Sequence, residues 1–257
     1  MITFGRMIPN AGYQARYRRE MQKMIQPMYE ETLTEVTELH TSEFARDAKL
    51  TLTKLMAMLR KKWYKIFERR AKDIARWLVN TIGHRTKEAT MQQLKKIGFL
   101  IKPQYTDTMK DFATELIANN VSLIKSIPQK FLRRVQRIVR EAWLRGGDRQ
   151  YIYERIRKLV DKAKYNADRR AYLIAKDQMN KITQGMALQN AIAYGATGGE
   201  WIHVPGEFSS RETHIHMDRQ RFDLTVGIYD PAVKKNVLPA ELPYCACQFR
   251  ALFPGSE

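Results

Sequence analysis

The candidate metal ligands between Glu200 and Cys247 are His203, His214, His216, Asp218, Cys245 and Cys247. Zinc takes four nitrogen or sulfur ligands in a tetrahedron. On a strand, where side chains alternate with period two, His214 and His216 face the same side. With Cys245 and Cys247 they would complete a His₂Cys₂ set, with His203 in reserve. A second reading of the same residues is a polar turn. In that reading Arg211 pairs with Asp218, His214 bonds backbone, and the two cysteines pack as small apolar groups. The balance of residue types favours the turn, because a Cys-x-Cys pair rarely supplies half a zinc site without a second knuckle. Zinc is the cofactor these donors would take; nothing else in the chain calls for one.

Hydrolytic chemistry in this window is a third reading. A metal-dependent DNA nuclease, or another effector enzyme, would use His214, His216 and Asp218 around a divalent ion, with basic helices on the phosphates. Only one carboxylate, Asp218, stands among these candidate ligands, and no residue is placed to activate a nucleophile. P-loop, Gly-x-Ser-x-Gly and dinucleotide-binding fingerprints are missing from the sequence. The expectation is therefore a protein that is not an enzyme.

The elements that must position this window are mostly helical. The 257 residues carry 45 Lys and Arg against 27 Asp and Glu, a formal charge of +18. Such an excess points to a polyanionic partner, nucleic acid first. Two cysteines at Cys-x-Cys spacing do not make a disulfide framework, which suits a reducing, cytoplasm-like compartment. No apolar run in the sequence approaches the roughly 20 residues that span a bilayer, so no membrane is expected as a partner.

Helical periodicity runs from Tyr13 to about His40, with Pro27 as a kink or boundary, and again from Glu43 to Ile82. Leu52, Leu55, Met56, Leu59, Trp63, Ile66 and Phe67 mark one apolar face. Gly83-His84 is expected to break that helix, and Thr86–Lys96 to form another, ended by Gly98. Residues 128–145 read as a separate helix with Pro128 in its first turn, and as the most cationic one. Lys130, Arg133, Arg134, Arg137 and Arg140 recur there at three- and four-residue steps, so several can meet DNA phosphates from one face. Gly146-Gly147 would stop it and Asp148 would cap the next. A last helix begins near Asp168, and Gly198-Gly199 ends the helical pattern. The fold class expected is α+β and mostly helical: a long, basic helical N-terminal region over 1–119, then a compact domain over 120–257. In that domain helices pack on a small antiparallel sheet of Glu200–Val204, Leu224–Tyr229 and Gln248–Leu252.

One stretch is more specific. Arg170-Ala171-Tyr172-Leu173-Ile174-Ala175-Lys176-Asp177-Gln178-Met179-Asn180-Lys181 resembles the RA-x-LIARDQ-x-x-K helix of the phage head morphogenesis family, the minor head proteins named after the F protein of phage Mu. Asn120–Leu132 and Gly146-Gly147 resemble the family's lead-in, and Trp201 its tryptophan strand. Arg211-x-x-His214-x-x-Met217-Asp218 is similar to its R-x-x-H-x-x-(L/M)-D-G turn, with Arg219 in place of the glycine. Pro243-Tyr244-Cys245-Ala246-Cys247 is similar to its closing N-C-R-C. Some members carry Cys-x-x-Cys where this chain has Arg211 and His214, and a His where it has Leu242, so their ligand set is not preserved here. The likeness covers about 120–250, and its weight lies in the order and spacing of the set. It implies structural roles for Arg170, Asp177, Gln178, Trp201, Arg211, His214 and Asp218. It also implies a minor capsid protein of a tailed bacteriophage, bound to the portal protein and to double-stranded DNA, with the major capsid or scaffolding protein as further partners. Such a protein acts in head assembly and in viral genome packaging or ejection. It resides in the virion interior near the portal vertex, and in the host cytoplasm during assembly.

Overall fold

The computed structural model describes residues 5–41, 48–96, 98, 106–144 and 149–254. Four long helices lead the chain: α1 (Ala11–Thr41), α2 (Ala48–Lys96), α3 (Asp107–Leu144) and α4 (Arg149–Ala193). They are followed by β1 (Gly198–Ile202), a short α5 (Glu212–His216), β2 (Arg221–Phe222), β3 (Ile228–Asp230), β4 (Lys235–Val237) and β5 (Gln248–Leu252). The expected class holds: a mostly helical α+β chain with a small antiparallel sheet.

The helices are longer than periodicity and breaker residues suggest. α2 runs through Gly83-His84, so Thr86–Lys96 is its C-terminal part and not a separate element. A Cβ on Gly83 would lie 2.6 Å from Cε of Met186; this glycine admits a neighbouring helix and does not end its own. α1 continues through Pro27, and α3 through Pro128. A proline inside a helix forfeits one hydrogen bond and crowds the carbonyl of residue i−4, at about 3 kcal/mol. Around Pro128 the offset is packing, since Ile127, Phe131 and Leu132 are all buried. The two helices expected before and after Asp168 are one element, α4. Gly146, Gly147 and Asp148 lie outside the described residues.

Start and stop chemistry is local. Asn10 caps α1, its Oδ1 accepting from the Tyr13 N–H at 2.9 Å. Thr106 opens α3 in the same way, taking the Met109 N–H at 3.3 Å. The stop of α4 is Gly195 at φ +85°, not Gly198-Gly199. The Ala196 N–H donates to the Ala191 carbonyl and the Gly195 N–H to that of Ile192. That pair of bonds is the Schellman motif, which needs a left-handed residue.

The chain divides into two compact units, and the division does not follow the sequential pair 1–119 and 120–257. The sheet unit holds Met1–Ala15, Arg76–Ala118 and Leu173–Glu257; the helical unit holds Arg16–Ala75 and Asn119–Tyr172. In the sheet unit the strand order is β2-β1-β5, all antiparallel, and β3 and β4 form a separate hairpin. Trp201 of β1 faces Phe249 of β5 in register, and Gly199 faces Phe222 of β2. The strand expected at Leu224–Tyr229 is not in this sheet; the two-residue β2 takes its place. Gly199 lets β1 close on that neighbour, because a Cβ there would fall 2.8 Å from the Phe222 ring. Trp201, Phe222, Leu224, Val237, Phe249, Cys245 and Cys247 pack with Ala187, Leu188 and Ala191 of α4 into one core. Residues 5–10 are tied into this unit. The Gly5 N–H donates to Gln93 Oε1 at 2.9 Å, and Gln184 Nε2 to the Met7 carbonyl at 2.7 Å. The helical unit is a helix-only core in which the Tyr17 hydroxyl donates to Asn120 Oδ1 at 2.8 Å.

Candidate metal centre

β1 and β5 bring the two ends of a long excursion to the same rung, since Ile202 pairs with Gln248. His203 therefore leaves the sheet beside the point where Cys247 enters it. Within the excursion α5 delivers His214, whose ring packs edge-on to Trp201 at 5.3 Å. His214 Nδ1 lies 3.4 Å from Cys245 Sγ and 3.7 Å from Cys247 Sγ, and the donor atoms of these three residues all fall within 4.8 Å of one another. His203 Nδ1 lies 3.5 Å from Cys247 Sγ but outside the group whose donor atoms are all within 4.8 Å of one another. A zinc tetrahedron with Zn–N near 2.05 Å and Zn–S near 2.3 Å has N···S edges of about 3.6 Å. Each of the three N···S separations is close to that length.

His216 is not part of this group. The two histidines sit on a helix, where a two-residue step turns about 200°, not on the strand expected. His214 is 2% exposed, and His216 points outward. His203 comes closest to the place foreseen for His216.

The far nitrogens are held as well. His214 Nε2 lies 3.3 Å from Asp230 Oδ2; both side chains are buried, and neither atom makes a hydrogen bond to any other group, so each is the other's nearest polar neighbour by charge rather than by hydrogen-bond geometry. With its proton on Nε2, toward Asp230, the imidazole presents the Nδ1 lone pair to the sulfurs. Metal-binding histidines are commonly held by a carboxylate in this way. His203 Nε2 lies 3.1 Å from Ser210 Oγ. Asp230 accepts the Ala232 N–H on its other oxygen at 2.9 Å, which fixes the carboxylate.

Without a metal the two thiols share their protons unequally. Hydrogen bonding with Cys247 first, and with His214 after it, draws the Cys245 thiol well down, against the cost of burial. Cys247 is pushed up, first by that hydrogen bond to Cys245 and then by burial. The Val204 N–H acts to lower Cys247, and the Cys247 N–H to lower Cys245. Donors aimed at sulfur favour thiolate, the form that binds metal.

The residues singled out by the resemblance surround this centre. Asp177 Oδ1 accepts the Tyr244 N–H at 2.6 Å, and its Oδ2 takes Gln178 Nε2 at 2.8 Å and Lys181 Nζ at 3.0 Å. Arg211 donates to the Pro243 carbonyl at 2.9 Å and does not pair with Asp218. Asp218 accepts the His203 N–H at 2.7 Å. Asn180 donates to the Cys245 carbonyl at 3.2 Å. The polar-turn reading is thus corrected in its pairings, while its packed cysteines are found in the core. Arg170 lies apart, in the helical unit, donating to Ser126 Oγ at 3.0 Å. Asp230, Asn180 and Ser210 were not legible as site residues; each acts across a sequence gap with no spacing signal.

Lys130, Arg133, Arg134, Arg137 and Arg140 are all exposed on α3, and Arg137 also approaches Glu141 at 3.6 Å. They are not on the most cationic helix. Counted over its full length, α2 carries 14 Lys and Arg against 3 Asp and Glu, whereas α3 carries 7 against 4. No helix among the described residues is long and apolar enough to cross a membrane.

No protein-family model matches the chain, and no solved structure matches it. It is similar to an uncharacterized protein of Haemophilus influenzae, 24% identical over 216 residues, which cover 80% of this chain and 47% of that protein. The chain thus spans about half the length of that relative.

Proposed function

We propose that this chain is a minor head protein of a tailed bacteriophage, associated with the portal and with double-stranded DNA, whose sheet unit is built around a structural zinc ion. One observation carries the reading. Asp177, Trp201, Arg211, His214 and Asp218, scattered over some forty residues, converge on the His/Cys centre. A family motif of separate pieces is what a shared structural centre requires. His214, Cys245 and Cys247 would hold the ion through one nitrogen and two sulfurs, with His203, 3.5 Å from Cys247 Sγ, closing in as the fourth ligand; a four-ligand set with buried cysteines is the structural type of zinc site. The helical unit supplies the DNA-facing charge, with the α3 cations on phosphates. Binding of that kind is independent of sequence and falls steeply with salt.

A groove of about 170 Å³, lined by His203, Arg211, His214, Tyr244 and Cys245 among others, borders the centre and favours a second reading, a metal-dependent nuclease or effector enzyme. The two separate experimentally. Cross-linking and quantitative mass spectrometry of purified particles should find a few copies linked to the portal, with zinc in the isolated protein. Absence from both immature and mature heads, together with metal-dependent DNA cleavage lost in His214→Ala, would replace the first reading by the second.

A further inference from the structure

α2 carries a second cationic face that the α3 residues do not account for. Lys54, Lys61, Lys65, Arg69 and Lys72 are all exposed. At 100° per residue they fall within about 80° of arc, and they extend along about 27 Å of helix. Diametrically opposite lie Leu52, Met56, Leu59, Trp63 and Phe67, all buried in the helical unit. The stripe is therefore turned outward by the same packing that forms the core.

The unit's ion pairs leave this stripe charged. Glu31 takes Lys62 and Glu20 takes Arg70 at 3.4 Å, both cations on the flanks of α2. Two carboxylates of α2 border the stripe: Glu68 is taken by Lys125 of α3 at 3.0 Å, its pKa lowered by that hydrogen bond first, and exposed Asp73 lies about 40° beyond Arg69 and forms no ion pair with it. Among the described residues, Lys54, Lys61, Lys65 and Arg69 pair with no carboxylate. The steps from Lys61 to Lys65 to Arg69 are four residues, about 6 Å each, close to two phosphates of one strand along a duplex axis. The whole stripe matches the length of about eight base pairs.

We infer that this face of α2 is a duplex-DNA binding surface in its own right, tracking the phosphate backbone and reading no bases. It rests on the DNA-binding reading above and assigns a larger share of the binding to α2 than to α3. The aromatics interleaved with these cations take no part: Trp63 and Phe67 are core, and their rings pack on each other at 6.4 Å.

The test is binding of the full chain to a labelled duplex of random sequence by fluorescence anisotropy, between about 50 and 200 mM salt. Lys61→Gln/Lys65→Gln/Arg69→Gln should lower the salt slope by about three, one for each phosphate no longer neutralised, and weaken binding at every sequence alike. Circular dichroism should show the helix content unchanged, since all three side chains are exposed; if the triple variant is misfolded, Lys65→Gln alone should lower the slope by about one. A triple variant with wild-type affinity and slope, alongside a weakened Arg133→Gln/Arg137→Gln/Arg140→Gln, overturns the α2 assignment and leaves the DNA reading standing. A wild-type chain that does not bind duplex overturns both. Unchanged duplex binding with lost affinity for poly-glutamate would assign the stripe to an acidic protein surface instead.

Discussion

The two compact units differ in charge far more than in size. The helical unit has 29 Lys and Arg against 14 Asp and Glu, so +15 of the chain's +18 lies there; the sheet unit, which is larger, nets +3. Every chemistry-bearing side chain of the candidate centre lies in the sheet unit, and both cationic stripes lie in the helical one. Net charge of the whole chain therefore misdescribes both parts. A field of one sign favours polyanion binding and opposes compaction, and here it is confined to a region whose stability comes from apolar helix faces. The buried cysteines, imidazole and carboxylate are kept where the background field is weak.

The sharpest way to break this division is His214→Ala. The change leaves Asp230 buried without its partner and opens a hole beside Trp201, so a loss of about 3–5 kcal/mol is expected for the sheet unit. Chemical denaturation followed by the Trp201 environment reads it, while DNA affinity per folded molecule should hardly move. Parallel loss of both would show that the units do not have separate tasks. A smaller effect is expected from Asp177→Asn. The Tyr244 N–H keeps an acceptor, but the charge held by Lys181 is lost, so about 1–2 kcal/mol should go, as for a charge-assisted hydrogen bond. Thermal melting checks it, and the salt dependence of DNA binding should stay as in the parent. Smallest near neutral pH is the effect of the buried tyrosines of the helical unit. Burial pushes Tyr29 up to about 12 and raises Tyr17 further. The folded state then keeps protons that the unfolded chain sheds near pH 10, so stability is intact below that pH and declines as pH rises toward 12. Unfolding measured from pH 8 to 11 should show the decline, and Tyr29→Phe should flatten it.

Much of this fold was legible because apolar spacing and buried faces agree: Leu52, Leu59, Trp63 and Phe67 form the inner face of α2 as read. β5 was legible to the residue, and β1 to within two. What failed was punctuation. Gly83, Pro128 and the polar run before Asp168 read as breaks, but local preference gives way where packing on both sides of the residue is strong. β2 has two residues and no pattern to read. In the site, His214 and the two cysteines could be named from type and spacing. His216 was misassigned because a period of two was applied to a helical turn. Asp230 could not be seen at all, because its role depends on a hairpin meeting α5, which no spacing encodes.

The pairing of Ile202 with Gln248 means that the 45 residues between them begin and end at one point of the sheet. They form a cassette with a single doorway. The outer turn at Pro231–Lys234 is exposed throughout, and compact surface excursions with adjacent ends are the places where chains accept insertions and exchanges. Descendants of this sequence can therefore replace the tip of the β3–β4 hairpin, and whatever it touches, while the ladder, the helices and the doorway residues His203 and Cys247 stay where they are. Variation should concentrate in that tip, and constancy at its hinges.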